Sequence, residues 1–243
     1  MRSFLVAVSF LTVLPIRFRK LPAPDVVAAS RFWYPAVGLL LGAALGGWTA
    51  LLSAARYPPP VSAFLVLAAW VLLSGALHLD GFCDLCDGLF AGRTPEDRLR
   101  ILKDPRLGTF GLAGGVLLLV GKFALLTGLL TAAPGRAPWV VAAAVTASRC
   151  LAVCLAAGAR YPRPHGTGKA LVEATRPWEA GLFAALAAAA AFPVLSPLRA
   201  LPVFVVVAGL RWLCRRRLGG ITGDCLGAAI ELSELLFLLT AVL

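Results

Sequence analysis

The chain has 243 residues, of which 60% are hydrophobic and only 14% are charged, and its mean hydropathy is +0.86. A soluble domain of this size cannot bury that much apolar surface, so the composition excludes a soluble globular protein and predicts an integral membrane protein. The net charge of +11 is compatible with a nucleic-acid partner. The distribution of the basic residues, described below, is instead typical of a membrane protein, and we expect no nucleic acid.

The first sixteen residues, Met1–Ile16, form an apolar run behind a single basic residue. This arrangement resembles a signal peptide, but Pro15 and Pro22 stand where a cleavage site with small residues would follow. We therefore expect a retained first helix, and the sequence leaves open whether it spans, re-enters or lies on the membrane.

Seven longer apolar runs follow, at about 32–55, 61–79, 109–133, 137–159, 180–198, 200–214 and 225–243. Each is close to the roughly 20 residues that a helix needs to cross the hydrocarbon core. The runs at 61–79 and 200–214 are short enough to break or to thin the bilayer. We predict one all-α domain over 1–243, a polytopic bundle of about seven transmembrane or re-entrant helices. Glycines at 38, 42 and 46 predict close packing of the first long helix.

The basic residues lie mainly in alternate connections. Of the 23 Lys and Arg residues, 17 lie at 17–31, 80–108, 160–179 and 211–224. This positive-inside pattern predicts a multi-pass protein of the cytoplasmic (inner) membrane, embedded in the lipid bilayer, with these four connections in the cytoplasm. The same connections hold ten of the twelve acidic residues. The polar site should therefore face the cytoplasm.

The run H-L-D-G-F-C-D-L-C-D-G-L-F at 78–90 is the most informative part of the chain. Spacings of four and three residues place Asp80, Asp84 and Asp87 on one face of a helix. Three clustered carboxylates at a membrane boundary need counter-cations, and hard oxygen ligands suit Mg²⁺ held together with a substrate phosphate. The alternative is a solvated helix end just outside the bilayer.

A second motif, G-G-I-T-G-D-C-L-G-A at 219–228, is a glycine-rich turn that leads into the last helix. Thr222 and Gly223 can offer free N–H groups to a phosphate. Asp224 can bind a metal that bridges to this phosphate, or it can be the N-cap residue of the helix.

Isolated cations mark two otherwise apolar helices. Lys122 and Arg149 suit phosphate contacts, or they pair structurally with Glu231 or Glu234. The loop P-R-P-H-G-T-G-K at 162–169 fits an anion-binding loop, although it lacks the four-residue gap and the Ser or Thr after Lys of a Walker A motif. Together the motifs predict a Mg²⁺-dependent phosphoryl or phosphodiester transfer at the cytoplasmic surface of the membrane.

These motifs, with K-D-P-R-L-G-T-F-G at 103–111 and L-G-G-I-T-G-D-C-L-G-A-A-I-E-L-S-E at 218–234, resemble the cobalamin synthase family, the adenosylcobinamide-GDP ribazoletransferases. The resemblance runs essentially end to end. It implies an enzyme that transfers a substituted phosphate group: the cobinamide phosphate of adenosylcobinamide-GDP is joined to the 5′ position of α-ribazole, and GMP is released. It also implies the use of α-ribazole 5′-phosphate. It also implies a Mg²⁺ requirement, and it leaves open a homo-oligomer or a complex with other enzymes of cobalamin biosynthesis.

The resemblance and the chemistry of the transfer together indicate three groups of side chains. The metal ligands are expected to be Asp80, Asp84 and Asp87. The general base is expected among Asp104, His78 and Asp224, in that order. The phosphate-binding residues are expected to be Lys122, Arg149, Arg93, Arg106, Thr222 and Gly223. Pro105 replaces a usual Ser and changes how the short helix before it ends.

Two other functions compete with this hypothesis. D-L-C-D-G-L-F-A-G-R at 84–93 resembles the motif of CDP-alcohol phosphotransferases, but Gly92 breaks the spacing and the downstream acidic pair is absent. Intramembrane charges also mark divalent-ion or anion transporters. Transporters often have two related halves, and this chain has none.

Overall fold

The computed structural model describes residues 1–243 as α-helices and connecting turns, without a β-strand. The helices are α1 (Arg2–Leu11), α2 (Pro24–Ala29), α3 (Tyr34–Ala54), α4 (Pro59–Leu73), α5 (Leu77–Ala91), α6 (Pro95–Ile101), α7 (Thr109–Ala132), α8 (Ala137–Ala156), α9 (Lys169–Ala174), α10 (Glu179–Ala191), α11 (Pro197–Leu218) and α12 (Gly223–Val242). A 3₁₀ turn, Ser30–Trp33, joins α2 to α3.

Five segments are long and apolar enough to cross a membrane, and α4 with α5 makes a sixth if this bent pair is one span. The five are Pro24–Ala54, α7, α8, α11 and α12. The predicted all-α multi-pass membrane protein is confirmed. Two of the predicted segments are short: α1 has 10 residues and α10 has 13, so each covers only about 15–20 Å as a helix.

The apolar run at 61–79 is broken, which is one of the outcomes that its length predicted. The chain turns by 87° between α4 and α5. Gly75 and Ala76 adopt left-handed backbone angles, with φ of 63° and 54°. This conformation ends a helix, and it is unfavourable for alanine. The break directs α5, with its aspartates, away from the axis of α4.

The core is built around α8 and α12, the two most buried spans. Gly42 and Gly46 of α3 face the backbone of α8: a methyl group at these positions would lie 2.6 Å from the Ala142 carbonyl oxygen and 2.7 Å from that of Pro138. Side chains larger than hydrogen would therefore force the helices apart. The close packing predicted from the glycine spacing is confirmed.

The short helix α6 begins as its sequence predicts. Thr94 is the N-cap, and its hydroxyl accepts a hydrogen bond from the Asp97 amide at 3.2 Å. Pro95 occupies the first helical position, where its missing N–H costs nothing. Arg98 is buried and donates to the Arg217 carbonyl at 3.3 Å. This contact docks α6 against the end of α11.

Candidate active site

The site lies where α5 crosses the beginning of α12. A methyl group at Gly81 would lie 3.1 Å from the Asp224 Cα, and one at Gly227 would lie 3.0 Å from the His78 carbonyl oxygen. Two glycines thus allow the helix backbones to touch. This approach places Asp80 and Asp84, one residue before and three after Gly81, beside Asp224.

These three residues, Asp80, Asp84 and Asp224, are called the carboxylate cluster below. Asp84 is half-buried and lies within the electrostatic field of the two others. Neither Asp80 nor Asp84 forms an ion pair; the cation that reaches the cluster is Arg163, whose Nη1 lies 3.4 Å from the Asp224 carboxylate. The cluster therefore carries more negative charge than the protein itself neutralises.

The third aspartate of the motif, Asp87, has a different environment. It is buried, and its two carboxylate oxygens accept hydrogen bonds of 2.8 Å from the amides of Gly108 and Gly111. Gly108 is the N-cap of α7, and Gly111 lies in its first turn. The N–H groups at this end of a helix have no partner within the helix, so a carboxylate that accepts hydrogen bonds from them stabilises the helix. Asp87 thus anchors α7 to α5, and its role as a metal ligand stays a prediction.

No group of three or more His, Cys, Asp or Glu side chains is arranged to hold a metal ion by itself. The cluster nevertheless fits Mg²⁺, because this ion is usually bound by one or two carboxylates together with water and substrate phosphates rather than by a protein cage. Asp80 and Asp84 provide hard oxygen donors without a competing cation. The ligand set fits a metal that arrives with a phosphate.

The glycine-rich turn completes one side of the site. Thr222 is the N-cap of α12, and its hydroxyl accepts a bond from the Cys225 amide and contacts Asp224 at 3.1 Å. The alternative prediction that Asp224 is the N-cap residue is therefore wrong. Gly223 faces the 162–169 loop: a methyl group at Gly168 would lie 3.3 Å from the Gly223 Cα.

This loop is more important than its sequence indicates. Arg163 of this loop reaches the carboxylate cluster. The sequence of the loop, with its glycines and lysine, does not by itself indicate this contact. The signal that could have identified it is the requirement for a counter-cation near unpaired aspartates.

The buried cations Lys122 and Arg149 form an ion-pair network with Glu231 and Glu234. Lys122 Nζ lies 2.5 Å from both glutamates, and Arg149 pairs with Glu234. These side chains are at most 8% exposed. The structure thus shows the structural pairing that the sequence left open, while phosphate binding by the two cations stays a prediction.

The remaining predicted residues are His78 beside the cluster, and Arg93, Asp104 and Arg106 at the protein surface. His78 is buried and lines a cavity of about 120 Å³ beside the cluster. Arg93 is exposed in the turn after α5. Asp104 is bound by Arg106 through contacts of 2.7 and 2.9 Å. These hydrogen bonds lower the pKa of Asp104 to about 2, which makes it a weak proton acceptor at neutral pH.

Comparison with known proteins identifies the family. The model of the cobalamin-5-phosphate synthase family matches residues 3–242, nearly the whole chain. The chain belongs to this family. A relative from Pseudomonas syringae pv. syringae is 41% identical over the full length of both chains. It is named adenosylcobinamide-GDP ribazoletransferase.

Two further relatives of the cobalamin-5-phosphate synthase family bear the same name. The protein from Desulfitobacterium hafniense is 39% identical over 99% of this chain and 96% of its own. That from Klebsiella pneumoniae strain 342 is 40% identical over 98% of each chain. No solved structure matches the chain. The family resemblance predicted from the motifs is confirmed.

Proposed function

We propose that this protein joins adenosylcobinamide-GDP to α-ribazole, or to α-ribazole 5′-phosphate, and releases GMP. The products are adenosylcobalamin or its 5′-phosphate. The observation that carries the proposal is the under-neutralised carboxylate cluster at the start of α12, in a chain that matches ribazoletransferases along its full length. A diphosphate that arrives with a metal ion would suit this site in two ways. The metal ion would supply the positive charge that the carboxylates need, and the phosphate would supply a negative charge that Arg163 can bind.

The transfer forms a phosphate ester bond at the expense of the phosphoanhydride bond within the diphosphate. A ribose hydroxyl of α-ribazole attacks the phosphorus on the cobinamide side of the diphosphate. The new O–P bond forms, the P–O bond to the GMP phosphate breaks, and the hydroxyl proton passes to a base. The 5′-phosphate is also a substrate in this proposal, and its 5′ oxygen is already esterified. The attacking group is therefore another ribose hydroxyl, and not the 5′-hydroxyl that was expected from the sequence.

The protein positions and neutralises the reacting groups. Bound Mg²⁺ would offset negative charge on the diphosphate and on the leaving GMP. Asp80 and Asp84 would hold this ion, and Arg163 would bind a phosphate oxygen as a charged donor. Thr222 and Gly223 present the first turn of α12 to the same phosphates.

The geometry changes the order of the candidate bases. Asp104 is engaged by Arg106 at the protein surface and has a low pKa. Asp224 lines the cavity beside the cluster, whereas both ring nitrogens of His78 are buried, so Asp224 ranks first. Lys122 and Arg149 act in this proposal through the packing of α7, α8 and α12, since the glutamates neutralise them.

The proposal includes the cytoplasmic membrane as location, with the site facing the cytoplasm. It is supported by the basic connections, which include the Arg163 loop and the end of α11. A homo-oligomer or a complex with other enzymes of the pathway stays a prediction, which chemical cross-linking in native membranes would test.

A turnover assay on purified protein in nanodiscs tests the function. Adenosylcobinamide-GDP and α-ribazole are supplied with Mg²⁺ or with a chelator, and corrinoid product and GMP are followed by mass spectrometry. Asp84→Asn should lower turnover by roughly 100-fold or more. The matched control is Asp97→Asn, which removes an aspartate of α6 that pairs with Arg100 outside the site.

Each outcome has a defined meaning. Equal amounts of cobalamin and GMP, lost with the chelator and in Asp84→Asn but not in Asp97→Asn, support both the reaction and the metal site. Product that survives Asp84→Asn retains the function and refutes the metal site. Folded protein that gives no product refutes the function, and CDP-alcohol substrates and ion flux are then tested.

A further inference from the structure

The last turns of α11 carry an open groove with a cationic lining. Its volume is about 580 Å³. The lining residues lie three and four positions apart on one face of the helix: Ala208, Arg211, Trp212, Arg215 and Arg216. No carboxylate lines the groove, and none of its arginines belongs to an ion pair. The groove therefore holds positive charge that the protein does not neutralise.

Arg211 fixes one side of the groove. It is half-buried, and its guanidinium donates to the carbonyls of Leu155 and Ala157 at the end of α8, at 2.5 Å from Nη2 to the Ala157 oxygen. The last carbonyls of a helix have no partner within it, so this contact satisfies them and ties α11 to α8. Arg215 and Arg216 are exposed. Their side chains are free to bind a ligand.

The same face of α11 continues as an apolar stripe away from the arginines. Leu198, Leu201 and Val205 are all exposed on it, whereas the opposite face of the helix is buried against the bundle. Because α11 is long and apolar enough to cross a membrane, an exposed apolar stripe of this kind faces lipid chains. The small Ala208 lies where the stripe meets the arginines. The groove thus lies at the level where acyl chains end and headgroups begin.

We propose that this groove binds an anionic phospholipid of the surrounding bilayer. The lipid phosphate would accept hydrogen bonds from Arg215 and Arg216, and one acyl chain would follow the apolar stripe past Ala208. Trp212 would lie beside the glycerol backbone, since tryptophan is enriched at the membrane–water interface. The inference is independent of the proposed reaction and adds a binding site outside the carboxylate cluster.

Two features select an anionic lipid. A soluble anion would use the arginines alone, whereas a lipid also uses the apolar stripe and Trp212, which continue the same helix face. A zwitterionic lipid brings its own cation beside the phosphate, and the groove has no carboxylate to bind that cation. The Arg216 guanidinium lies 5.2 Å from the centre of the Trp212 ring, which holds this donor at the interface. Guanidinium groups bind phosphate through two parallel hydrogen bonds.

Quenching of Trp212 fluorescence by brominated lipids tests the inference without turnover. The protein is placed in phosphatidylcholine nanodiscs that contain increasing fractions of brominated phosphatidylglycerol or of brominated phosphatidylcholine. Subtracting the signal of Trp212→Phe isolates this residue among the six tryptophans. Half-maximal quenching should need roughly 5-fold less phosphatidylglycerol than phosphatidylcholine, or less still, the effect of at least one arginine beside an anionic headgroup.

Two pairs of substitutions separate the groove from general surface charge. Arg215→Gln/Arg216→Gln should reduce the preference for phosphatidylglycerol to about 2-fold or less. The matched control is Arg17→Gln/Arg19→Gln, which removes the same charge from exposed side chains of another basic connection and should keep the preference. Ala208→Phe retains every arginine but fills the junction with the apolar stripe, so it should also lower the preference. Its control is Leu117→Phe on α7, a side chain that is 72% exposed and lies outside the groove.

Three results would overturn the inference. Equal quenching by both lipids in the wild type would show that the groove does not select an anionic headgroup. An equal loss of preference in the two double variants would show attraction by the whole surface rather than by a site. Relief of phosphatidylglycerol quenching by inorganic phosphate, but not by sodium chloride of the same ionic strength, would identify a site for soluble anions. The predicted preference, lost only in the groove variants, would establish the lipid site whether or not the protein forms cobalamin.

Discussion

The buried pair of Arg149 and Glu234 provides the sharpest test of how the bundle is held together. Glu234 accepts hydrogen bonds from Lys122 at 2.5 Å, from Arg149, and from the Ser148 hydroxyl at 3.3 Å. Glu234→Leu leaves two buried cations with one carboxylate. Removing one partner of a buried ion pair costs about 3–5 kcal/mol in the free energy of unfolding. We expect a destabilisation of that size.

The double variant Arg149→Met/Glu234→Leu separates charge balance from packing. It leaves Lys122 paired one-to-one with Glu231, and it replaces two charged side chains with apolar ones of similar volume. Replacing a whole buried pair in this way is often neutral or stabilising. We therefore expect the double variant to be within about 1–2 kcal/mol of wild type, and the two substitutions to be strongly non-additive.

Unfolding by SDS in mixed micelles, followed by tryptophan fluorescence, measures these differences. Trp70 is a suitable reporter, since its ring centroid lies 5.1 Å from Lys122 Nζ. Additive destabilisation by the two substitutions would refute the charge-balance reasoning. A stable double variant whose KM for adenosylcobinamide-GDP rises more than 10-fold would show instead that Arg149 binds phosphate, the other role that the sequence left open.

Three further substitutions test single contacts. Gly42→Leu should push α3 from the Ala142 carbonyl and cost about 1–3 kcal/mol in the same unfolding assay; unchanged stability would refute the close approach. Asp87→Asn should cost about 0.5–2 kcal/mol and leave the Mg²⁺ dependence of turnover unchanged, whereas a shifted Mg²⁺ dependence would make Asp87 a metal ligand. Arg106 lowers the pKa of Asp104 to about 2, so the stability from this pair is present above the ordinary aspartate pKa and is lost only as the pH falls towards 2. Because Arg106 engages Asp104 at the protein surface, Asp104→Asn should leave the turnover rate unchanged at every pH between about 5 and 9. A rate that is lowered across this whole range would make Asp104 the base.

The sequence predicts the helical fold well because the membrane allows few alternatives. Apolar runs of about 20 residues, glycine spacing on α3 and the cap at Thr94 each depend on neighbours in sequence, so each could be inferred from the chain alone. The helical face of Asp80 and Asp84 was predictable for the same reason.

Contacts between segments that are distant in the sequence could not be predicted from periodicity or spacing. The spacing that places Asp87 with the other aspartates says nothing of the α7 amides that it binds, which come more than 20 residues later. Arg163 reaches Asp224 only because its loop folds over the glycine-rich turn. The choice between phosphate binding and glutamate pairing for Lys122 also depends on how α7 meets α12, which periodicity does not determine.

The break between α4 and α5 gives the segment after α1 a structural role. A left-handed turn at Gly75 and Ala76 removes helical hydrogen bonds, and irregular backbone at membrane depth is tolerated only where protein or a cavity covers it. The segment after α1 provides this cover: the Val13 amide donates to the Leu73 carbonyl at 2.8 Å. A methyl group at Gly75 would also lie 3.5 Å from the Val13 side chain. The short N-terminal segment therefore stabilises the bend that turns α5 towards α12, and the same segment closes the cavity beside the carboxylate cluster.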